Sequence, residues 1–331
     1  MQTNCGKLVI SLDFELFWGV RDKRSLDTYG QNLLNVHKVL PVMLDKFNDF
    51  GVKATFATVG FLFASNWDEL MEYLPKNTPK YLEENLSPYP SLEDLNTLKT
   101  NTDKRFFFAQ NWIQSLADEG IHEIGTHTFS HYYCLEEGQD KLAFKDDLQA
   151  AIKIASDMGL NTRSIVFPRN QVNQEYLELC LQHGITSYRG TEKIWFNRAE
   201  SELKTSLVKR IFRTLDCYFN LSGHNTFAIE PSQQQRVVNI PSSRFLRPYN
   251  KRFKALESFK LNRIKRSMTH AAKNNEVFHL WWHPHNYGSN LEENFAFLDD
   301  ILKHFSHLEK EYGFKSYTMS QAAEESFSKT V

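Results

Sequence analysis

Asp13-Phe14-Glu15, His127-x-x-x-His131, Arg169-Asn170 and His283-Pro284-His285 group residues able to move protons or hold a cation. In a strand, positions i and i+2 share a face, so Asp13 and Glu15 would present two carboxylates to one side. Such a pair repels unless one takes a proton or a cation sits between them. The other reading is two solvated acids at a surface strand end. His127 and His131, four apart, would face one way on a helical turn. With Glu15 they make two imidazoles and a carboxylate, a set that suits zinc or a similar divalent ion and leaves a position open for water. Taken alone, the histidine pair also reads as ordinary surface or core residues. Trp281-Trp282-His283-Pro284-His285 offers an imidazole for proton transfer near neutral pH. Spacing does not decide between His283 and His285. Arg169 could orient Asp13 by charge-assisted hydrogen bonds, or form a structural ion pair.

Each group follows a short apolar run that reads as a strand: residues 8–12, 121–125, 164–167 and 277–282. Residues 52–59 and 185–188 read the same way. Helical spacing falls between them, at 105–119, 140–158, 174–183 and 291–312, and within 32–50, where Pro41 marks a kink or a first turn. Strands alternating with helices predict a parallel sheet, open or closed into a barrel, with chemistry at the C-terminal strand ends. Residues 64–104, broken by Pro75, Pro79, Pro88 and Pro90, and residues 196–275 do not fit the alternation. They are expected as two insertions in a single domain spanning 1–331.

Composition narrows the classes. A chain of 331 residues with 41% hydrophobic and 24% charged residues and a net charge of −1 is neither disordered nor a polyanion binder overall. With 26 Phe, 13 Tyr and 6 Trp it has rings for a large core and a cleft. No apolar run approaches the ~20 residues of a membrane span. Asp13 and Glu15 interrupt the apolar stretch 8–20, so it does not read as a secretory signal, and Cys5 has no apolar leader. Cys5, Cys134, Cys180 and Cys217 form no CxxC pair, which favours a reducing compartment. The expected location is cytoplasmic. GxSxG, GxGxxG and P-loop patterns are absent, so serine-hydrolase, dinucleotide and triphosphatase readings lack support.

At this point several runs resemble one family. Ser11-Leu12-Asp13-Phe14-Glu15 resembles the first motif of the polysaccharide deacetylases (carbohydrate esterase family 4, the nodulation-type chitooligosaccharide deacetylase homology domain), in an Asp-x-acid form. Residues 53–60 are similar to its second strand, and 119–131, with His127 and His131, is the closest match. Phe167-Pro168-Arg169-Asn170 resembles the third motif, and Leu280-Trp281-Trp282-His283 the last. The resemblance covers roughly 7–192 and 276–325. It implies a distorted, incomplete (β/α) barrel, TIM-like, of about seven strands. It implies Asp13 as general base, His283 as general acid, Arg169 tuning Asp13, and Glu15, His127 and His131 as metal ligands. Zinc is the expected ion, with cobalt or nickel as alternatives. The implied reaction is hydrolysis of an acetyl group on a sugar, N-acetyl ahead of O-acetyl. Trp18, Asn170, Trp195, Trp282 and His285 are expected to line the sugar. Three departures stand out. Glu15 replaces an Asp, the third motif has its Pro and Arg in another order and lacks a tyrosine, and the fourth motif's Asp is not recognisable near 190–196.

Residues 244–273 hold ten Lys or Arg against one acid, Glu257, a charge of +9 in a chain that totals −1. Leu256, Phe259, Ile264 and Met268 fall near helical spacing, so a basic amphipathic helix is expected, either packed on the barrel as a solvated face or used in binding. In the second case Arg263 and Arg266 would hold the phosphates of a nucleotide-linked or lipid-linked sugar, or touch an anionic membrane at the inner face. Nucleic acid is not expected. That segment favours a role in surface glycan, capsule or O-antigen assembly. Two competing readings keep the fold: an allantoinase-like or deformylase-type C–N hydrolase, and a non-catalytic glycan-binding relative.

Overall fold

Strand β1 (Lys7–Phe14) is buried along its whole length, and its alternation assigns the two sides of the sheet. Leu8, Ile10, Leu12 and Phe14 enter the large core beneath the outer helices. Val9 belongs to a separate cluster on the concave side, and the two-residue period puts Ser11 and Asp13 on that side too.

The computed structural model describes residues 5–197, 207–231 and 236–328. After β1, helices α1 (Leu26–Leu34) and α2 (Val36–Asp49) lead to β2 (Thr55–Thr58). Helices α3 (Trp67–Glu72), α4 (Leu95–Asn101) and α5 (Gln110–Glu119) lead to β3 (Glu123–Thr126). Helix α6 (Lys141–Asp157) precedes β4 (Ser164–Ile165), and α7 (Leu177–Gln182) precedes β5 (Ser187–Tyr188). Helix α8 (Leu207–Tyr218) precedes β6 (Val238–Asn239) and β7 (Arg244–Phe245). Helix α9 (Glu257–Asn274) feeds β8 (Val277–Trp282), and α10 (Leu291–Tyr312), β9 (Lys315–Tyr317) and α11 (Met319–Ser328) follow.

Among the described residues the pairings between these strands are parallel, in the order β6-β5-β4-β3-β2-β1-β8-β7, and β9 lies beside the first half of β1. The curled sheet with helices outside is a distorted, incomplete (β/α) barrel, with eight strands in line rather than about seven. Among the described residues no pairing joins β6 to β7, so the barrel stays open there.

Two of the strands, β6 and β7, come from the stretch expected as an insertion. Residues 196–275 supply β6, β7 and α9, and α9 packs on β8 and α10. Strands of two residues are too short for alternation to reveal. Residues 64–104 form α3, α4 and short 3-10 turns, with Trp67 and Leu70 seated in the main core.

Local chemistry explains the helices. The apolar stripe of α2 is Val36, Val39, Leu40, Met43, Leu44 and Phe47, all buried, each contributing about 1.5–3 kcal/mol relative to exposure. Pro41 lies inside α2, not at its start. Asp140 caps α6 by accepting the backbone N–H groups of Leu142 and Ala143. Gly120 ends α5 at a φ of 63°, a left-handed conformation that costs glycine little. At the barrel's lower end, Met319, Ala322 and Ala323 of α11 pack against Val9, Ala57, Val166, Val238, Ile240 and Val277. That plug leaves the C-terminal strand ends as the open face.

Candidate active site

Glu15 directly follows β1, and His127 directly follows β3, two strands away. Their side chains meet over the concave face. Glu15 Oε2 lies 3.4 Å from His127 Nε2 and 3.1 Å from His131 Nε2, and all three residues are buried. One donor atom from each residue falls within 4.8 Å of the others.

The two histidines do not share a helical turn. Residues 127–131 form an irregular loop in which Thr128 and His131 take φ values of 65° and 62°. That left-handed backbone is uncommon for residues with a Cβ and needs support from its surroundings. Asp147, on α6 and fully buried, supplies it. Its carboxylate accepts the N–H of Phe129 (2.7 Å), the N–H of Ser130 (3.1 Å) and the Ser130 hydroxyl. The Thr128 hydroxyl adds a further tie, accepting the Tyr132 N–H at 2.6 Å. Burial pushes the Asp147 carboxyl up to about 6.

The imidazoles are set for ligation. His127 Nδ1 donates to the Val166 carbonyl at 2.7 Å, which turns its Nε2 lone pair toward Glu15. Burial lowers His131 to about 4, so it stays a neutral donor at ordinary pH. Burial alone would raise Glu15, but His283, His127 and His131 outweigh it and hold the carboxyl well below its usual range. Gly19 is part of this seat, because a Cβ there would collide with the Glu15 carboxylate.

Asp13 is held by a residue that sequence reasoning passed over. Arg189 directly follows β5 and is fully buried. Its Nη1 and Nη2 donate to Asp13 Oδ1 at 2.6 Å and Oδ2 at 2.7 Å. The guanidinium is itself fixed by Asn170 Oδ1 at 2.9 and 3.1 Å and by Ser11 Oγ at 3.0 Å, and it lies 4.0 Å from the Trp281 ring centroid. Below it, His279 Nε2 meets Ser11 Oγ at 2.8 Å while Nδ1 faces the Ile240 carbonyl at 3.0 Å. Desolvation works against ionised Asp13, yet Arg189, then His127 and His283, keep its pKa below the ordinary value. Arg189 had one available signal: it is the polar residue at the end of a strand, as at the other strand ends.

Arg169 pairs with Asp22 and lies 4.3 Å from the Tyr133 ring centroid, so the guanidinium on Asp13 is not Arg169's. Both Arg169 and Asn170 have left-handed backbone, which aims Asn170 at Arg189 and Arg169 away. His283 Nε2 stands between the acids, 3.7 Å from Asp13 Oδ2 and 3.5 Å from Glu15 Oε1. It keeps 22% of its side chain exposed, against 4% for either carboxylate, so it is the group here that reaches solvent. His285 stacks on it with centroids 4.9 Å apart, and burial drives His285 down to about 3.

The expected aromatic lining is rearranged by strand parity. Trp281 shares the concave side with His279 and His283 and packs edge-on to His283. Trp282 points the other way, into the core against Phe47 and Tyr287. Trp18 is buried among Phe61, Trp67 and Phe107 and donates its N–H to the Phe107 carbonyl. Trp195 is half-exposed beside Phe196 and Phe212. Arg263 is tied to Asp216 at 2.7 Å, and Arg266 is exposed on α9.

Residues 27–188 match the family model described as polysaccharide deacetylase. The matched stretch holds His127 and His131, with Asp13 and Glu15 before it and His283 after it. No curated protein matches the chain. Among solved structures, one assigned as a polysaccharide deacetylase from Mycobacterium smegmatis is 12% identical with a TM-score of 0.61, covering 100% of this chain and 93% of its own. Another so assigned, from Pseudomonas aeruginosa PAO1, is 11% identical with a TM-score of 0.54, covering 96% and 89%. An allantoinase is 10% identical with a TM-score of 0.55, covering 98% and 91%. At these identities the structures share the fold. Residues 27–188, just under half of the chain, thus match the polysaccharide deacetylase family, and the whole chain shares the fold of these structures.

Proposed function

We propose that this protein is a divalent-metal-dependent hydrolase that removes an N-acetyl group from a sugar during glycan assembly. The observation that carries the reading is the convergence of Glu15, His127 and His131 beside an Asp13 gripped by Arg189, with His283 spanning the two carboxylates.

The donor set fits a metal ion. Two imidazole nitrogens and an ionised carboxylate match zinc, and cobalt or nickel would accept the same ligands. When bound, such an ion supplies Lewis-acid polarisation of the acetyl carbonyl and acidifies a water from ~15.7 toward ~7. The chain's own residues do the proton work. Asp13, kept ionised by Arg189, takes the proton of the attacking water as its oxygen bonds to the acetyl carbon. His283, reaching solvent on one edge, gives a proton to the departing nitrogen as the C–N bond breaks. The products are acetate and a free amine. Each proton transfer of this kind contributes about 10²–10⁴-fold. His285 and Asn286 hold the His283 ring, the latter 3.3 Å from Nδ1.

The reading includes an acetylated sugar carried on a nucleotide or a lipid, and an enzyme working at the cytoplasmic face. Among the described residues no helix is long and apolar enough to cross a membrane. The decisive test is elemental analysis of the wild type beside a His127→Ala/His131→Ala variant, run with an acetate-release assay on N-acetylated sugar donors. About one divalent ion per chain, lost in the variant together with acetate release, is the expected result. An ion-free wild type that takes up none of zinc, cobalt or nickel would overturn the metal-dependent reading.

A further inference from the structure

Helix α8 is turned inside out. In a soluble protein the apolar stripe of a surface helix faces the core. Here Leu207, Val208, Ile211, Phe212, Leu215 and Phe219 fall on one arc of α8 and its C-terminal end, and they are 37–72% exposed. The opposite arc, with Arg210, Arg213, Asp216 and Cys217, faces a cavity of about 510 Å³. The exposed stripe continues onto Phe253 and Phe259, half-exposed, with Phe219 and Phe259 ring centroids 6.4 Å apart and Tyr218 and Phe253 6.0 Å apart. An apolar surface of this extent marks a site of association.

Its rim is cationic. Lys251, Arg252 and Lys254 flank Phe253, all three exposed. The one acid within α8, Asp216, is buried and held by Arg244 at 3.0 Å and Arg263 at 2.7 Å. A second copy of the chain would bring the same cations against this rim, whereas an anionic bilayer surface complements it.

The cavity behind α8 continues the pattern. It is walled by Lys23, Arg169, Arg210, Arg213, Arg244 and Arg247, against the carboxyls of Glu192 and Asp216. Arg244 is only 6% exposed, and its Nε is buried with no hydrogen-bond partner. Arg244 shares the Asp216 carboxylate with Arg263 behind it, Arg169 is paired with Asp22, and Arg210 and Arg247 bring further positive charge to the wall. Burial raises the Glu192 pKa and so weakens its opposition to an anion. Trp281 and Phe245 also line the cavity, and both pack against His283, so it opens beside the candidate active site.

We propose that α8 lies in the surface of an anionic bilayer, and that the arginine-walled cavity behind it takes the phosphate of a lipid-linked sugar whose acetyl group reaches Asp13 and His283. The substrate class deepens the deacetylase reading and rests on it. The membrane contact is made by α8 and the 251–254 turn rather than by the whole basic segment 244–273, because Arg244, Lys260 and Arg263 are buried in internal pairs.

The test uses the full-length protein with vesicles of phosphatidylcholine alone or with phosphatidylglycerol, and with farnesyl phosphate, farnesol and uridine diphosphate as soluble probes. The protein should pellet with the anionic vesicles and much less with the neutral ones. Ile211→Glu/Leu215→Glu should lower vesicle binding about tenfold or more while circular dichroism stays unchanged. Farnesyl phosphate should bind better than farnesol or uridine diphosphate, and Arg210→Gln and Arg247→Gln should each weaken it about tenfold. Equal pelleting with both vesicle types would overturn the proposal. So would a double variant that only converts a dimer to a monomer, or tighter binding of uridine diphosphate. None of these readouts uses acetate release, so their failure and the failure of the deacetylase reading are separate results.

Discussion

Arg189 and Asp13 form a two-point grip, Nη1 to Oδ1 at 2.6 Å and Nη2 to Oδ2 at 2.7 Å, between residues 176 positions apart. The pair is buried, so Asp13 depends on Arg189 to remain ionised, and removing either partner would leave a buried charge unpaired. Asp13 sits at the end of β1 and Arg189 just past β5, on opposite sides of the curved sheet. Curvature of the sheet brings them together.

Arg189→Lys should lower kcat/KM about 10–100-fold, because an ammonium cannot reproduce the planar two-point contact. Arg189 depresses the Asp13 pKa, so weakening the grip should move the acid limb of the pH–rate profile to higher pH. Arg169→Gln should leave that limb in place, since Arg169 pairs with Asp22. A profile that moves with Arg169 and not with Arg189 would reverse the assignment.

Asp147→Asn should loosen the 127–131 loop and reduce divalent-ion affinity about 10–100-fold without touching a ligand. It should also change how stability varies with pH. The folded pKa is raised from the ordinary 3.8 to about 6. The contribution of Asp147 is therefore fully present below about 3.8 and is lost as pH rises through about 6. The gap amounts to roughly 3 kcal/mol. Urea unfolding between pH 4 and 7 should show wild-type stability falling relative to the Asn variant as pH rises; parallel curves would contradict the raised pKa.

Gly19→Ala should cut metal content while leaving the chain folded, because the new methyl displaces the Glu15 carboxylate. Elemental analysis and a thermal melt of the same sample separate the two effects. Full metal content in the alanine variant would show that Glu15 can relax around it.

Trp281→Ala and Trp282→Ala should fail in different ways. Trp282 is fully buried against Phe47 and Tyr287, so its loss should cost about 3–5 kcal/mol of stability. Trp281 lines the cavity and covers Arg189, so its loss should appear mainly in KM and kcat with a smaller stability change. Equal destabilisation by both would mean that strand parity does not separate their roles.

The sequence by itself determined the alternation of strand and helix, the capped ends of α5 and α6, and the three side chains that converge as Glu15, His127 and His131. Those features are local: a period of two or 3.6, a cap, and a polar residue at the end of an apolar run. Parity was equally available for Trp281 and Trp282, since neighbours in a strand face opposite ways. Only the tertiary structure decided that Arg189 rather than Arg169 holds Asp13, because two adjacent left-handed residues at 169 and 170 redirect one side chain and aim the other. It also decided that β6 and β7 extend the sheet, since two-residue strands exist only through their neighbours. Asp147 belongs to the same class. On α6 it reads as an ordinary helical acid, and its hydrogen bonds to a loop 17 and 18 residues earlier make it the support of the site. The outward face of α8 was likewise undetermined by pattern, because amphipathic spacing tells that a helix has an apolar side and not which way that side faces.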